Sequence, residues 1–284
     1  MIKEKLQEQL NKVEYIARLS KPRRLLHAPL RYTEAIFFRE VIYPWKKKEI
    51  LKTVPVFFDK QMLVGLPAAT DIFLTGGKSN ESIIRLARFL INIFNDGDHF
   101  LDIGAHYGYF SLLASVLTSP SGKVYSFEPT SGTYHILALN ADNTNISCFR
   151  EAISDKPGSL TFFEFPNLYS EYNTTNANQF KNKKWYSDYN PIEITVIAQT
   201  IDNITASGFT PKVIKVDVAG AEYKVIRGGI NYFTENSPLI IMEYLSTGRG
   251  NDEHRKASIL LKNLGFTPHS IDNKGILRII DNID

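Results

Sequence analysis

The chain has 284 residues, of which 43% are hydrophobic and 22% charged, so it can bury a full core as one large domain or as a domain with an extension. No apolar stretch reaches the roughly 20 residues that a membrane-spanning helix needs, and residues 1–17 are too charged for the core of a signal peptide. These features predict a globular protein of the cytoplasm. The single cysteine, Cys148, cannot form an internal disulfide and is predicted to be structural.

Basic residues are concentrated near the N-terminus. Residues 1–60 contain 14 Lys/Arg and 7 Asp/Glu, a surplus of +7 in a chain whose net charge is +3. Leu6, Leu10, Val13 and Ala17 recur at helical spacing, and basic residues alternate with aromatic ones over residues 21–50. We favour a helical extension that packs its apolar stripe on the core; the alternative is a segment that contacts an anionic membrane surface or an acidic partner. Nucleic acid is not an expected partner, because no recognised nucleic-acid-binding module accompanies the basic residues.

Strands and helices are predicted along most of the chain. Residues 54–77 are predicted to form short strands and turns, and residues 81–94 a helix that Ser79 or Asn80 caps. Further strands are predicted near 99–103, 123–128, 146–151, 212–217 and 239–244. Further helices are predicted near 107–117, 131–142, 220–228 and 253–264. This alternation is typical of an α/β, doubly wound, mostly parallel sheet of the Rossmann-like kind.

Two domains are expected from these elements. Residues 1–95 form a basic N-terminal extension of helices and short strands, and residues 96–284 form the sheet domain. The stretches GSLTFFEF and IEITVIAQT are predicted to form a β-hairpin inserted into that domain. Between them, residues 166–191 are rich in Asn and Tyr and have no periodicity. Because long loops are usually functional or disordered, we favour a lid over the substrate, with disorder as the alternative.

The turn after the first strand of the sheet carries the main functional signal. Asp102, Gly104 and Gly108 form a D-x-G-x-x-x-G pattern, whose spacing differs from the G-x-G-x-x-G turn that binds pyrophosphate. A carboxylate there would repel phosphate and attract a cation, at the edge where open parallel sheets bind ligands. Glu128 ends the next strand, where an acid accepts hydrogen bonds from ribose hydroxyls. A cationic ribose compound without phosphate groups points to S-adenosylmethionine as the cofactor.

Several stretches, taken in order, carry a family resemblance over roughly residues 96–245: FLDIGAHYGYFSLLAS, VYSFEPTSGTYHILALNAD, EAISDKPGSLTFFEF, VIKVDVAGAEYKVIRGG and PLIIMEY. They resemble the FkbM family of S-adenosylmethionine-dependent methyltransferases. The resemblance implies O-methylation, often of sugars or natural products, with the chain at residues 151–154 bordering adenine. The cofactor-binding residues that it implies are Asp102, Gly104, Ala105, His106, Gly108, Tyr109, Glu128, Ser131 and Ala152. His106 is interpreted as part of the cofactor wall, with a role as base as the alternative.

Three carboxylates are candidates for the base that an alcohol acceptor needs. Asp217 ends the fourth strand, Glu222 lies in the first turn of the next helix, and Glu243 ends the fifth strand, so all three are expected at one edge of the sheet. Asp217 is the first candidate as catalytic residue. Glu222 alternatively complements the positive end of its helix. Glu243 is expected to be buried, either in the site or in an ion pair with Lys215.

One position departs from the family pattern. The family commonly reads D-V-E-G-A-E where this chain reads DVAGAE, so Ala219 replaces a carboxylate. Its loss argues against Mg²⁺, which takes oxygen ligands, and no metal ligand is assigned. Methylation of adenine nitrogen is not expected, because the D/N-P-P-Y signature is missing after the fourth strand.

The sequence therefore favours an O-methyltransferase with a small-molecule or glycan acceptor. Two alternatives stay open. Ala219 is compatible with an inactive scaffold that binds S-adenosylmethionine, and the sheet is compatible with a nicotinamide-dependent oxidoreductase, against which the missing G-x-G-x-x-G counts.

Overall fold

The computed structural model describes residues 2–245 and 252–280. The chain divides into two compact units. The first unit consists of Met1–Phe94, Pro166–Ser170 and Ile271–Leu277, and the second consists of Asn95–Phe165, Glu171–Ser270 and Arg278–Asp284. Two short segments from the C-terminal two thirds of the sequence thus belong to the first unit.

The elements alternate in the second unit as the sequence predicts. The α-helices of the described residues are α1 (Ile2–Arg18), α2 (Lys21–His27), α3 (Pro29–Phe37), α4 (Tyr43–Lys46), α5 (Thr70–Thr75), α6 (Glu81–Ile93), α7 (Tyr109–Thr118), α8 (Ser131–Asn140), α9 (Ile201–Thr205), α10 (Glu222–Arg227), α11 (Ile230–Glu235) and α12 (Asp252–Asn263). The strands are β1 (Ile50–Val56), β2 (Lys60–Leu66), β3 (His99–Ile103), β4 (Lys123–Phe127), β5 (Ile146–Phe149), β6 (Ala152–Ile153), β7 (Gly158–Glu164), β8 (Ile192–Gln199), β9 (Val213–Val216), β10 (Leu239–Met242), β11 (His269–Ile271) and β12 (Leu277–Ile279).

The first unit combines helices with the antiparallel β1–β2 hairpin. Most of the predicted apolar stripe of α1 is buried, in agreement with the favoured interpretation of the N-terminus. Leu6, Leu10 and Val13 are at most 3% exposed, and Ala17 is half-buried. The predicted helix α6 is capped by Asn80, whose side chain accepts a hydrogen bond from the Ser82 N–H.

The prediction for residues 54–77 is partly wrong. The hairpin accounts for the strands, but Thr70–Thr75 is a short helix rather than a turn. Its Ile72 and Phe73 are buried, and Gly76 ends it in a left-handed conformation with φ of +73°. A helix of six residues is too short to show a helical period, so the sequence pattern did not distinguish it from a loop.

A buried arginine joins α6 to α1. Arg88 donates to the side-chain oxygens of Gln7 and Asn11 at 2.9 and 2.8 Å, and it forms an ion pair with Glu14 at 2.6 Å. Arg88 is 8% exposed, so its charge depends on these partners for compensation.

The second unit contains a five-stranded sheet in the order β10-β9-β3-β4-β5, with every pairing parallel. This confirms the predicted α/β, doubly wound, Rossmann-like architecture. The strands are short apolar runs, and β9 is buried along its whole length, as a parallel sheet covered by helices on both faces requires. The buried core includes Leu101, Ile103, Phe127, Ile214, Val216, Val225, Ile226 and Phe233.

The inserted hairpin is also confirmed. β7 and β8 pair antiparallel from Gly158↔Ala198 to Glu164↔Ile192. The short β6 adds to the other side of β8 in parallel, which makes a three-stranded sheet that the sequence did not predict.

The long Asn- and Tyr-rich loop, residues 166–191, contains regular structure. It contains 3-10 turns at Asn167–Tyr172 and Ala177–Phe180. In the second unit, the rings of Tyr172, Phe180 and Trp185 lie 5.1 to 6.0 Å apart. The disorder alternative is therefore wrong for these residues, and the function of the loop as a lid stays a prediction.

None of the helices in the described residues is long and apolar enough to cross a membrane.

Breaking the Arg88 network tests how much it stabilises the first unit. We expect Arg88→Met to lower the free energy of unfolding by about 3 kcal/mol, because Glu14 would lose its buried countercharge. Lys12→Met is the control, since it breaks the exposed Lys12–Glu8 pair and should cost less than about 0.5 kcal/mol. Urea denaturation measures both values, and equal losses in the two variants would contradict the assignment.

Candidate functional site

The carboxyl ends of the five parallel strands align in one row. Met242, Val216, Ile103, Phe127 and Phe149 pair in register from β10 across to β5, and we call these five residues the terminal row. Four predicted site residues directly follow it: Glu243, Asp217, Gly104 and Glu128. Their alignment at one edge agrees with the rule that open α/β sheets bind ligands beyond the carboxyl ends of their strands.

The strand order reverses at this edge. The chain runs from β3 outward to β4 and β5, and then returns to β9 on the other side of β3. The crevice of a doubly wound sheet lies at such a switch point. The N–H of Asp217 donates to Ile103 O at 3.0 Å and that of Gly104 to Phe127 O at 3.0 Å, so the ladder holds both turns just beyond the strands.

Glu128 is a buried acceptor next to the turn after β3. Its Oε2 accepts a hydrogen bond from the His106 N–H at 3.0 Å, and its Oε1 accepts from the N–H and hydroxyl of Thr130 at 3.2 and 2.6 Å. His106 has a φ of +52°, an uncommon conformation for a residue with a side chain. Burial raises the pKa of Glu128 more than these hydrogen bonds lower it.

Asp102 has no exposed surface. Its Oδ1 lies 3.0 Å from Lys215 Nζ, and its Oδ2 accepts from the Ser111 hydroxyl at 2.7 Å. Ser126 donates in turn to Ser111 at 2.8 Å. Asp102, Lys215 and Ser126 are register neighbours on β3, β9 and β4, so the sheet itself brings them together.

Lys215 connects the buried acid to both turns. Its Nζ donates to Gly104 O at 3.2 Å and lies 3.3 Å from Asp217 Oδ2. Asp102 was expected to attract a cationic ligand, but in the structure its charge is paired with Lys215 inside the protein. Any influence of Asp102 on a ligand is thus exerted through the position of Lys215 and of the Gly104 carbonyl.

Gly104 is required by the packing of the two turns. Its φ is +76°, and a Cβ at this position would lie 1.9 Å from Asp217 O. The turns after β3 and β9 thus approach closer than any side chain would allow.

The remaining residues of the predicted cofactor pocket have different positions. Gly108 precedes α7 with φ of +84°, and Ala105 and Tyr109 on either side of this turn are buried. Ser131 is exposed at the start of α8. Ala152 is buried in β6, where it pairs with Ala198 rather than with the parallel sheet.

The three candidate bases differ in exposure. The Asp217 side chain is 51% exposed and directly follows β9. Glu222 is fully buried, with Oε1 accepting from the Gly220 N–H at 3.2 Å and Oε2 lying 3.2 Å from His254 Nε2. Glu243 is exposed, so the expectation that it is buried is wrong: β10 ends at Met242, one residue earlier.

His254 lies next to the Glu222 oxygen that does not contact Gly220. Its Nδ1 accepts from the Leu245 N–H at 3.0 Å, so its other nitrogen carries the hydrogen that faces Glu222. Glu222 is thus enclosed by the protein, and Asp217 is the more exposed of the two carboxylates.

The Ala219 turn is held by the long loop. Ala219 has a φ of +48°, and its carbonyl accepts from the Thr174 hydroxyl at 2.8 Å and from Gln179 Nε2 at 2.7 Å. The backbone carbonyl of the residue that replaces the family's Glu thus accepts two side-chain hydrogen bonds from the loop. No periodic pattern in the sequence pointed to Thr174 or Gln179. The lysine in the apolar run VIKVD did point to Lys215, since a buried lysine needs a partner.

Within the described residues, no group of three or more His, Cys, Asp and Glu side chains could hold a metal ion. Cys148 is half-buried on β5, and burial, followed by the charge of Asp102, raises the pKa of its thiol to about 11. The thiol is therefore protonated near neutral pH, as a structural cysteine would be.

The comparison with protein families shows the family of this chain. The model of the methyltransferase FkbM domain matches residues 102–268, which is more than half of the chain. The chain belongs to the FkbM methyltransferase family. The FkbM domain begins at Asp102 and includes the turns after β3 and β9, so the predicted resemblance is confirmed.

No curated protein matches this FkbM-domain chain. Two solved structures are similar to it at low identity. A proposed rRNA methylase from Clostridium thermocellum has 10% identity and a TM-score of 0.39, covering 64% of this chain and 80% of its own. Precorrin-6y C5,15-methyltransferase from Geobacter metallireducens GS-15 has 13% identity and a TM-score of 0.38, covering 66% and 72%.

Neutralising the buried ion pair tests its contribution to the FkbM domain. We expect Lys215→Met and Asp102→Asn each to lower the free energy of unfolding by about 3–5 kcal/mol, because each leaves a buried charge uncompensated. The double variant should lose less than the sum, by about 1–3 kcal/mol. Lys212→Met is the control, because it breaks the more exposed Lys212–Asp98 pair. Additive losses in denaturation experiments would show that the two residues are not coupled.

The close approach at Gly104 gives a second prediction. Gly104→Ala and Gly208→Ala both place a side chain at positive φ, but a Cβ at Gly208 meets no atom within 4 Å. We expect Gly208→Ala to cost about 1 kcal/mol and Gly104→Ala about 3 kcal/mol or more. Thermal and urea unfolding measure the difference, and similar losses would contradict the packing argument.

Proposed function

We propose that this protein is an S-adenosylmethionine-dependent O-methyltransferase whose acceptor is a hydroxyl group of a saccharide or a natural product, and that it acts in the cytoplasm. The observation that carries the proposal is Glu128, a buried carboxylate at the end of β4 that touches the turn after β3. Family membership supports methyl transfer, Glu128 supports the cofactor, and the hydroxyl acceptor rests on what the resemblance to the FkbM family implies.

The acceptor capacity of Glu128 fits a ribose. Among the described residues, Oε2 accepts one hydrogen bond, so it can accept a second from a hydroxyl without displacing the His106 N–H. Burial strengthens such a bond, since no water competes for the carboxylate. A nucleoside without a phosphate also suits this edge, because the paired charges of Asp102 and Lys215 offer no surplus positive charge to a phosphate.

The proposed roles of the acidic residues follow from how exposed their side chains are. When bound, S-adenosylmethionine supplies a methyl group on a positively charged sulfur. The protein has to orient the acceptor and take the proton from its hydroxyl. Asp217 is proposed as the base, because it is exposed at the switch point and its Oδ2 is held 3.3 Å from Lys215 Nζ. Glu222 and His254 are proposed to position the turn that follows Asp217.

Calorimetric titration tests the cofactor. We expect micromolar binding of S-adenosylmethionine and S-adenosylhomocysteine, and at least tenfold weaker binding to Glu128→Gln, which is about 1.4 kcal/mol. Glu193→Gln is the control, since it removes a charge from an exposed position on β8. Because burial raises the pKa of Glu128, affinity should fall as the pH decreases, starting above the usual titration range of glutamate, and Glu128→Gln should lack this dependence.

The outcomes separate the candidate functions. Binding that Glu128→Gln leaves unchanged would contradict the role of Glu128, and binding of nicotinamide dinucleotides instead would favour the oxidoreductase. With the cofactor established, transfer of a labelled methyl group to a panel of hydroxylated acceptors tests the reaction. Asp217→Asn should lower kcat about 10²–10⁴-fold while cofactor affinity stays within threefold. Binding without transfer to any acceptor would favour the inactive scaffold.

A further inference from the structure

A basic segment of the first unit exposes large apolar side chains. It comprises residues 21–48, from α2 through α4, and we call it the basic segment. Leu26 is 80% exposed, Leu30 84% and Trp45 93%, and Phe37 and Val41 are more than half exposed. Side chains of this size exposed together in one segment usually mark a surface that contacts a partner.

The basic segment is folded and anchored, so this exposure is not that of a loose end. Residues 29–46 are helical throughout, with a π-helical turn at Phe38–Ile42. Phe38 and Tyr43 point into the first unit and are buried, and the Tyr43 hydroxyl accepts from the Leu168 N–H at 3.0 Å. One face therefore holds the helix in place while the other presents its apolar side chains.

The charge of the basic segment is strongly positive. It contains eight Lys/Arg and two Asp/Glu. Both acids are paired, Glu34 with Lys52 and Glu40 with Arg39. Lys46, Lys47 and Lys48 directly follow the exposed Trp45, and all three are exposed.

We propose that the basic segment docks on the surface of an anionic lipid bilayer. An interfacial helix buries apolar side chains at the level of the head groups while lysine and arginine contact acidic lipids, and this segment offers both together. Tryptophan is favoured at that interface, because its ring is amphipathic. A second copy of the chain fits less well, since two basic segments would repel each other.

Vesicle co-sedimentation of the full chain is the first test. We expect binding to vesicles with 30% phosphatidylserine, weak binding to phosphatidylcholine alone, and loss of binding in high salt. Each basic residue near an anionic surface contributes about fivefold, so replacing Lys46, Lys47 and Lys48 by Gln should weaken binding about 100-fold. The matched control replaces the exposed Lys181, Lys183 and Lys184 by Gln and should leave binding within threefold.

The apolar side chains are tested in the same way. We expect the triple replacement of Leu26, Leu30 and Trp45 by Ser to abolish sedimentation with vesicles. The control replaces three exposed apolar residues of the second unit, Leu139, Ile192 and Ile197, by Ser. Circular dichroism of each variant establishes that it is folded.

Fluorescence locates the contact. The chain has two tryptophans, so Trp185→Phe leaves Trp45 as the sole reporter. Anionic vesicles should shift its emission to the blue, and brominated lipids should quench it. The proposal is overturned if the protein does not bind anionic vesicles, or if the two triple lysine replacements weaken binding equally. It is also overturned if the protein sediments with vesicles but Trp45 is not quenched. It is also overturned if the apolar triple abolishes a dimer seen by analytical ultracentrifugation and leaves vesicle binding unchanged.

Discussion

The buried pair of Asp102 and Lys215 organises the carboxyl edge of the parallel sheet. A lysine in the centre of a parallel sheet is costly unless it has a countercharge, and β3 provides one in register beside it. The same ammonium group contacts the Gly104 carbonyl and Asp217, so the turns after β3 and β9 are held together by one charge. Replacing any member would change the geometry of both turns.

The acids at the carboxyl edge of the sheet differ in their exposure to solvent. Glu128 and Glu222 lie inside the protein and accept hydrogen bonds from backbone N–H groups, which suits positions that must not move. Asp217 and Glu243 follow their strands into solvent, where an acceptor molecule can reach them. Residue type alone does not assign these roles, because every one of these side chains is a carboxylate at or near a strand end.

The turn at Ala219, where the chain departs from the family pattern, is held by the long loop. Thr174 and Gln179 of the long loop both donate to the Ala219 carbonyl, and Thr174 is itself fixed by its backbone bridge to Phe163 on β7. The inserted hairpin and its loop thus stabilise the turn that carries the proposed base. In the first unit, burial distinguishes two parts of the N-terminal region. Helix α1 buries its apolar residues Leu6, Leu10 and Val13, whereas several large apolar side chains of residues 21–48 are exposed.

The sequence by itself determined the architecture and the edge that carries the site. Short apolar runs alternating with helical periods predict a parallel sheet, and acids or glycines at strand ends predict ligand binding at its carboxyl edge, because both signals are local. Only the tertiary structure decided that Lys215 pairs with Asp102, that Glu222 is buried and that Glu243 is exposed. These outcomes depend on strand order and register, which are set by contacts between residues more than a hundred positions apart, such as Asp102 and Lys215.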